Sequence, residues 1–160
     1  MNDKPRLYDE LARQLAALLQ GERDAVANSA NMAALIYDAL PDLNWAGFYV
    51  ARGQELVLGP FQGKPACVRI PWGEGVCGTA AARAASIVVP DVHEFPGHIA
   101  CDPVSRSELV VPLVDNARVL GVLDLDSPVP GRFDEEDRAG CERLVAVFLE
   151  HQLRWPEGFA

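Results

Sequence analysis

The order of periodicities restricts this chain more than any other feature. Helical patterns at both ends enclose a middle built of short, alternating, turn-bounded runs. Leu7, Leu11, Leu15 and Leu18 recur at helical spacing and predict a first helix, broken at Gln20-Gly21-Glu22. A second amphipathic stretch runs over about 23–40, carries Ala27, Met32, Leu35 and Ile36, and stops at Pro41, which cannot extend a helix. At the far end Asp134 and Asp137 make a cap-box-like pair ahead of a helix over about 135–153 that buries Leu144, Val145, Phe148 and Leu149.

Between these ends, residues 45–50 read as an aromatic-rich strand and 55–58 as its return across a Gly53 turn. Residues 59–77 are dense in glycine and proline and read as loop with one short strand near 67–70. A helical turn is expected over 75–85 and a short buried strand over 86–89, closed by Pro90. Residues 91–105 show no periodicity, and a loop of that length inside a folded unit is usually functional or disordered. Strands over 108–114 and 118–125, joined by Asp115-Asn116-Ala117, complete the pattern. The expected architecture is α+β: one domain over 1–160, with helices over about 5–40, sheet and loops over 45–127, and a last helix over 134–153. Both sets of terminal helices cover one face of a mainly antiparallel sheet.

A formal charge of −9 argues against nucleic acid or an anionic membrane as partner, because phosphate binding needs a Lys/Arg surplus on one face. No secretory leader pattern follows Met1, and no run approaches the ~18 apolar residues of a membrane span, so a cytoplasmic protein is expected. In a reducing compartment its cysteines are catalytic, metal-binding or simply buried. Cys141, in the middle of an amphipathic helix, reads as core. Cys67, Cys77 and Cys101 are separated by ten and twenty-four residues, which matches no zinc-knuckle spacing, although His93 or His98 completing a metal site is an alternative. Cys77 falls near a helix start, where backbone N–H groups and the helix dipole favour a thiolate, and Cys101 lies in the long polar loop. A loop thiol and a helix-terminus thiol suggest a nucleophile and its resolving partner.

Trp45, Gly47 and Tyr49 share one strand face, with the glycine leaving room between two rings. Such a stripe is either core or an aromatic wall for a methyl or sulfonium-like group. Asp124 and Asp126 likewise share a face of an otherwise apolar strand, so that face meets solvent or a polar pocket. Glu108, at the start of the neighbouring strand, joins them through hairpin pairing. Three crowded carboxyls raise at least one pKa, which supplies a proton donor near neutral pH, and they attract a substrate ammonium.

Several segments in order then resemble the GAF-domain free methionine-(R)-sulfoxide reductases. They are Trp45-Ala46-Gly47-Phe48-Tyr49, Gly59-Pro60-Phe61-Gln62-Gly63-Lys64-Pro65-Ala66-Cys67, Gly73-Glu74-Gly75-Val76-Cys77-Gly78, His98-Ile99-Ala100-Cys101-Asp102 and Gly121-Val122-Leu123-Asp124-Leu125-Asp126-Ser127. The resemblance implies a GAF-type fold with the ligand pocket under loops on the sheet face away from the terminal helices. It implies reduction of the free amino acid: Cys101 attacks the sulfoxide sulfur, and Cys67 or Cys77 resolves the sulfenic acid as a disulfide, Cys67 being favoured. Trp45 and Tyr49 line the methyl pocket, and Glu108, Asp124 and Asp126 hold substrate and protonate its oxygen. No bound cofactor or metal is expected. Reducing equivalents come from thioredoxin, fed by NADPH through thioredoxin reductase, and a homodimer is consistent with the resemblance. A non-catalytic GAF module that senses a small ligand, with a cysteine switch, is the rival reading.

Overall fold

Alternation along each strand decides which side chains meet the helices. In the computed structural model, which describes residues 3–151, there are six strands: Trp45–Arg52 (β1), Glu55–Gly63 (β2), Arg69–Pro71 (β3), Ile87–Val89 (β4), Ser107–Asp115 (β5) and Arg118–Ser127 (β6). They form one sheet in the order β3-β2-β1-β6-β5-β4 with every neighbour antiparallel. Ala46, Phe48 and Val50 of β1, Leu109, Val111 and Leu113 of β5, and Leu123 and Leu125 of β6 enter one core with the helices Lys4–Leu19 (α1), Ala25–Ala39 (α2) and Glu135–Glu150 (α4). Phe48 stacks on Phe148 at 5.2 Å between ring centroids. The alternate residues Trp45, Tyr49, Val110 and Val122 face the other way, onto the helix Gly75–Arg83 (α3) and the loops.

The terminal helices start where side chains satisfy their free N–H groups. Asp24 accepts from Ala27 N at 2.9 Å, and Asp134 and Asp137 form the expected capping box. Asp137 is buried and also accepts from Tyr8 Oη and Lys4 Nζ, each at 2.8 Å, which ties α1 to α4. The buried stripe of α1 is Leu11, Leu15 and Leu19, each contributing roughly 1.5–3 kcal/mol by burial. Leu18, expected inside, is 44 % exposed, because the helix continues on its own 3.6-residue period to Leu19. The expected last helix ends at Glu150; residues 152–153 of that expectation lie outside the described residues.

Two expectations for the middle are corrected. β2 does not stop at Leu58 but continues through Gly59-Pro60 to Gly63. Gly47 pairs with Phe61 and Tyr49 with Leu58, so Gly59 and Pro60 together oppose Phe48 in a bulge. A bulge removes the ladder hydrogen bond that Pro60 cannot donate, which is why a Gly-Pro pair sits inside a strand. Cys67 is not on a strand; it lies in the loop between β2 and β3. The β5–β6 hairpin does close as expected, with Asp115 opposite Arg118 and Asn116 and Ala117 at φ 50° and 64°, the geometry of a two-residue turn with both φ positive. Residues 91–105 hold one short 3-10 turn, Val92–Glu94, and are otherwise irregular. No helix among the described residues is long and apolar enough to cross a membrane.

Candidate active site

On the sheet face away from the terminal helices, one pocket is lined by Trp45 and Tyr49, by Cys77 and Cys101, and by Glu108, Asp124 and Asp126. Cys67 and Cys101, 34 residues apart, are joined in a disulfide with their Cα atoms 5.4 Å apart. Cys77 remains a free, buried thiol on α3. Cys141 is on the opposite side of the sheet. It packs in the helix core, where burial pushes its thiol up to about 12 and its Sγ lies 3.9 Å from Tyr8 Oη. The metal set weighed above, cysteines completed by His93 or His98, is not the arrangement found, since two of the three thiols are bonded to each other.

The aromatic wall is tighter than alternation alone suggests. Trp45 stacks on Tyr49 at 5.9 Å and on Phe61 of β2 at 5.2 Å. The room left by Gly47 is taken by these rings: a Cβ there would lie 2.3 Å from Phe61 Cβ and 2.8 Å from the Trp45 ring. Both polar handles are anchored. Trp45 Nε1 donates to Lys64 O at 3.1 Å, and Tyr49 Oη donates to Cys67 O at 2.9 Å. The second bond couples the wall to a half-cystine.

Pairing of β5 with β6 sets Glu108 opposite Asp126 and Val110 opposite Asp124, so the three carboxyls gather at one end of the sheet. Glu108 and Asp124 are 6 % and 5 % exposed, and Asp126 is half-buried. Burial, then the nearness of Asp124 and Asp126, holds the Glu108 carboxyl well above its ordinary range. Asp126 is raised likewise, by burial and then by Asp124. Asp124 is also raised by burial, but hydrogen bonding from Glu108, Cys77 and Asp126 works in the opposite direction. Its Oδ1 is buried and accepts no hydrogen bond among the described residues.

The expectation of a helix-stabilised thiolate at Cys77 is reversed. Complete burial raises the thiol well above its ordinary value, and Asp124, Glu108 and Asp126 raise it further. Burial and three acidic neighbours outweigh a helix N-terminus, whose effect is typically 0.3–1 kcal/mol. Cys77 Sγ lies 3.9 Å from Glu108 Oε2. α3 is held close against β3 because residue 78 is glycine; a Cβ there would sit 2.5 Å from Pro71 O. The ligand atoms of Cys77, Glu108 and Asp124 all fall within 4.8 Å of one another, close enough to hold a cation.

The GAF domain family profile matches residues 3–152. The chain is 55% identical over 144 residues to the free methionine-R-sulfoxide reductase of Escherichia coli, covering 90% of this chain and 87% of that one. It is 43% identical over 153 residues to the enzyme of that name from Saccharomyces cerevisiae, covering 91% and 85%. The X-ray structure of free methionine-R-sulfoxide reductase from Neisseria meningitidis in complex with its substrate superposes with a TM-score of 0.90 at 45% identity, covering 94% and 91%. The chain belongs to the GAF-domain family of free methionine-(R)-sulfoxide reductases.

For a reductase of this family, three contacts within the site carry no mark in the sequence. Phe61 completes the aromatic stack from a strand end read as loop. The Tyr49 bond to Cys67 O joins residues far apart in the chain. Asn44, just ahead of β1, donates from Nδ2 to Asp102 Oδ2 at 3.0 Å and to Ser105 Oγ at 2.9 Å, clasping the loop on the C-terminal side of Cys101.

Proposed function

We propose that this pocket reduces free L-methionine (R)-S-oxide to L-methionine by attack of Cys101 on the sulfoxide sulfur and resolution by Cys67. The observation that carries this reading is the bond from Cys67 to Cys101, the latter lining a pocket in which Cys77 is still a thiol. Oxygen passes from the substrate sulfur to the Cys101 sulfur, leaving methionine and a sulfenic acid. Cys67 then displaces that oxygen as water and forms the disulfide. An external dithiol, in our reading thioredoxin supplied by NADPH through thioredoxin reductase, takes the disulfide back to two thiols.

The acid groups divide by role. A sulfoxide oxygen needs a proton as it leaves, and Glu108 and Asp126, both raised by burial and then by the nearness of Asp124, are the donors this reading favours. Asp124, whose Oδ1 is buried and unsatisfied among the described residues, takes the substrate ammonium. The rings of Trp45 and Tyr49 hold the S-methyl group. No step draws on a prosthetic group. Because the disulfide must be reopened at every turnover, we place the enzyme in the reducing cytoplasm; a homodimer accords with the family resemblance.

The test is NADPH consumption coupled through thioredoxin and its reductase, run with the separate R and S epimers of free methionine sulfoxide and with a peptide carrying the oxidised residue. The reading expects turnover of the free R epimer alone. Consumption with the peptide and none with the free amino acid would overturn it.

A further inference from the structure

Within the pocket one set of atoms has a composition that an amino-acid substrate does not need. Cys77 Sγ, a Glu108 oxygen and an Asp124 oxygen lie within 4.8 Å of one another, on side chains 4 %, 6 % and 5 % exposed. An ammonium group uses carboxylates; it has no use for a sulfur. Among the described residues Asp124 Oδ1 is unpartnered, and no lysine or arginine lines the pocket to neutralise the acids. We propose that Cys77, Glu108 and Asp124 form a binding site for a thiophilic divalent cation of the zinc class, which takes the place of the substrate ammonium and shuts the pocket.

The donor set decides the class of ion. A thiolate with two carboxylates suits Zn²⁺ or Co²⁺, whereas Mg²⁺ and Ca²⁺ prefer oxygen alone. Tetrahedral bonds of about 2.0–2.3 Å put donor atoms on one zinc ion about 3.5 Å from each other, so the three draw in by about 1.5 Å or less. A fourth position is left for water or for His98, whose Nε2 is 4.0 Å from Glu108 Oε1. On binding, the Cys77 proton leaves to solvent and the sulfur ligates as thiolate; no electron moves. The site exists while Cys67 and Cys101 are bonded, so the ion captures the oxidised enzyme.

Binding itself stands apart from the reductase reading; only the competition with substrate rests on it. The full-length protein with the Cys67–Cys101 bond formed, freed of reductant, is titrated with CoCl₂ under argon. One equivalent is expected to bind with a thiolate-to-cobalt charge-transfer band in the near ultraviolet, which ZnCl₂ abolishes. The band is lost in Cys77→Ser and kept in Cys141→Ser. Asp124→Asn leaves every thiol in place, so it decides the matter even if Cys77→Ser does not fold. It should weaken Co²⁺ at least about tenfold, the low end of what losing even an outer-shell partner costs. Absence of the band, its survival in Cys77→Ser, or wild-type affinity in Asp124→Asn would overturn the proposal. Added methionine should raise the apparent dissociation constant, and failure of that arm alone would count against the substrate assignment and leave the metal site standing.

Discussion

Reducing the Cys67–Cys101 bond should cost the fold a measurable share of its stability. The bond spans 34 residues, and the chain-entropy relation gives about 4 kcal/mol at 25 °C for a loop of that size. At about 2–4 °C per kcal/mol for a chain of this length, the oxidised protein should melt about 8–15 °C above the reduced one. The stabilisation acts chiefly on the unfolded chain, so the oxidised form should also unfold with a smaller urea slope, its denatured state being more compact. The assay is urea and thermal unfolding with and without dithiothreitol. The Cys67→Ser/Cys101→Ser double variant serves as control; it has no such bond and should ignore the reductant. Equal midpoints for oxidised and reduced protein, or the same response to dithiothreitol in the double variant, would refute the reasoning.

Glu108→Gln should trade activity for stability. The folded-state pKa of Glu108 is raised, by burial first and then by Asp124 and Asp126, so its contribution is intact below the ordinary value of 4.5 and lost as pH rises through the folded pKa. The variant should therefore gain on the wild type in urea midpoint from pH 4 to pH 8 while losing methionine formation; parallel pH profiles would contradict this. Asn44→Ala removes two bonds that hold Asp102 and Ser105. At about 0.5–1.5 kcal/mol each, the single-turnover rate should fall roughly 5- to 150-fold, with a smaller change in substrate dissociation constant measured by fluorescence. An unchanged rate would show that the clasp does not position Cys101.

How far the site was legible in the chain depends on the range of the interaction concerned. Asp124 and Asp126 share a face because a strand has a period of two, and Glu108 joins them because a two-residue hairpin fixes the register. Both facts are local, so the carboxyl cluster could be read residue by residue. The continuation of β2 past Gly59-Pro60 could not, because a bulge exists only against its partner strand, and with it went the role of Phe61. Asn44 and the Tyr49 hydroxyl act across long chain separations and left no pattern. For Cys77 the local signal was misleading: a helix start argues for a thiolate, while burial beside three acids, a property of the assembled pocket, holds the proton on. Cys141, inside a helix whose neighbours are apolar, was correctly read as core because burial follows directly from helical period.

The assignment of nucleophile is tested most directly by trapping the first intermediate. Cys67→Ser is reduced, freed of reductant and mixed with one equivalent of free L-methionine (R)-S-oxide and a sulfenic-acid-specific dione, and the protein is mapped by mass spectrometry. The account predicts about one methionine released per protein and the adduct on Cys101. An adduct on Cys77, or methionine released in a single turnover by Cys101→Ser, would contradict it.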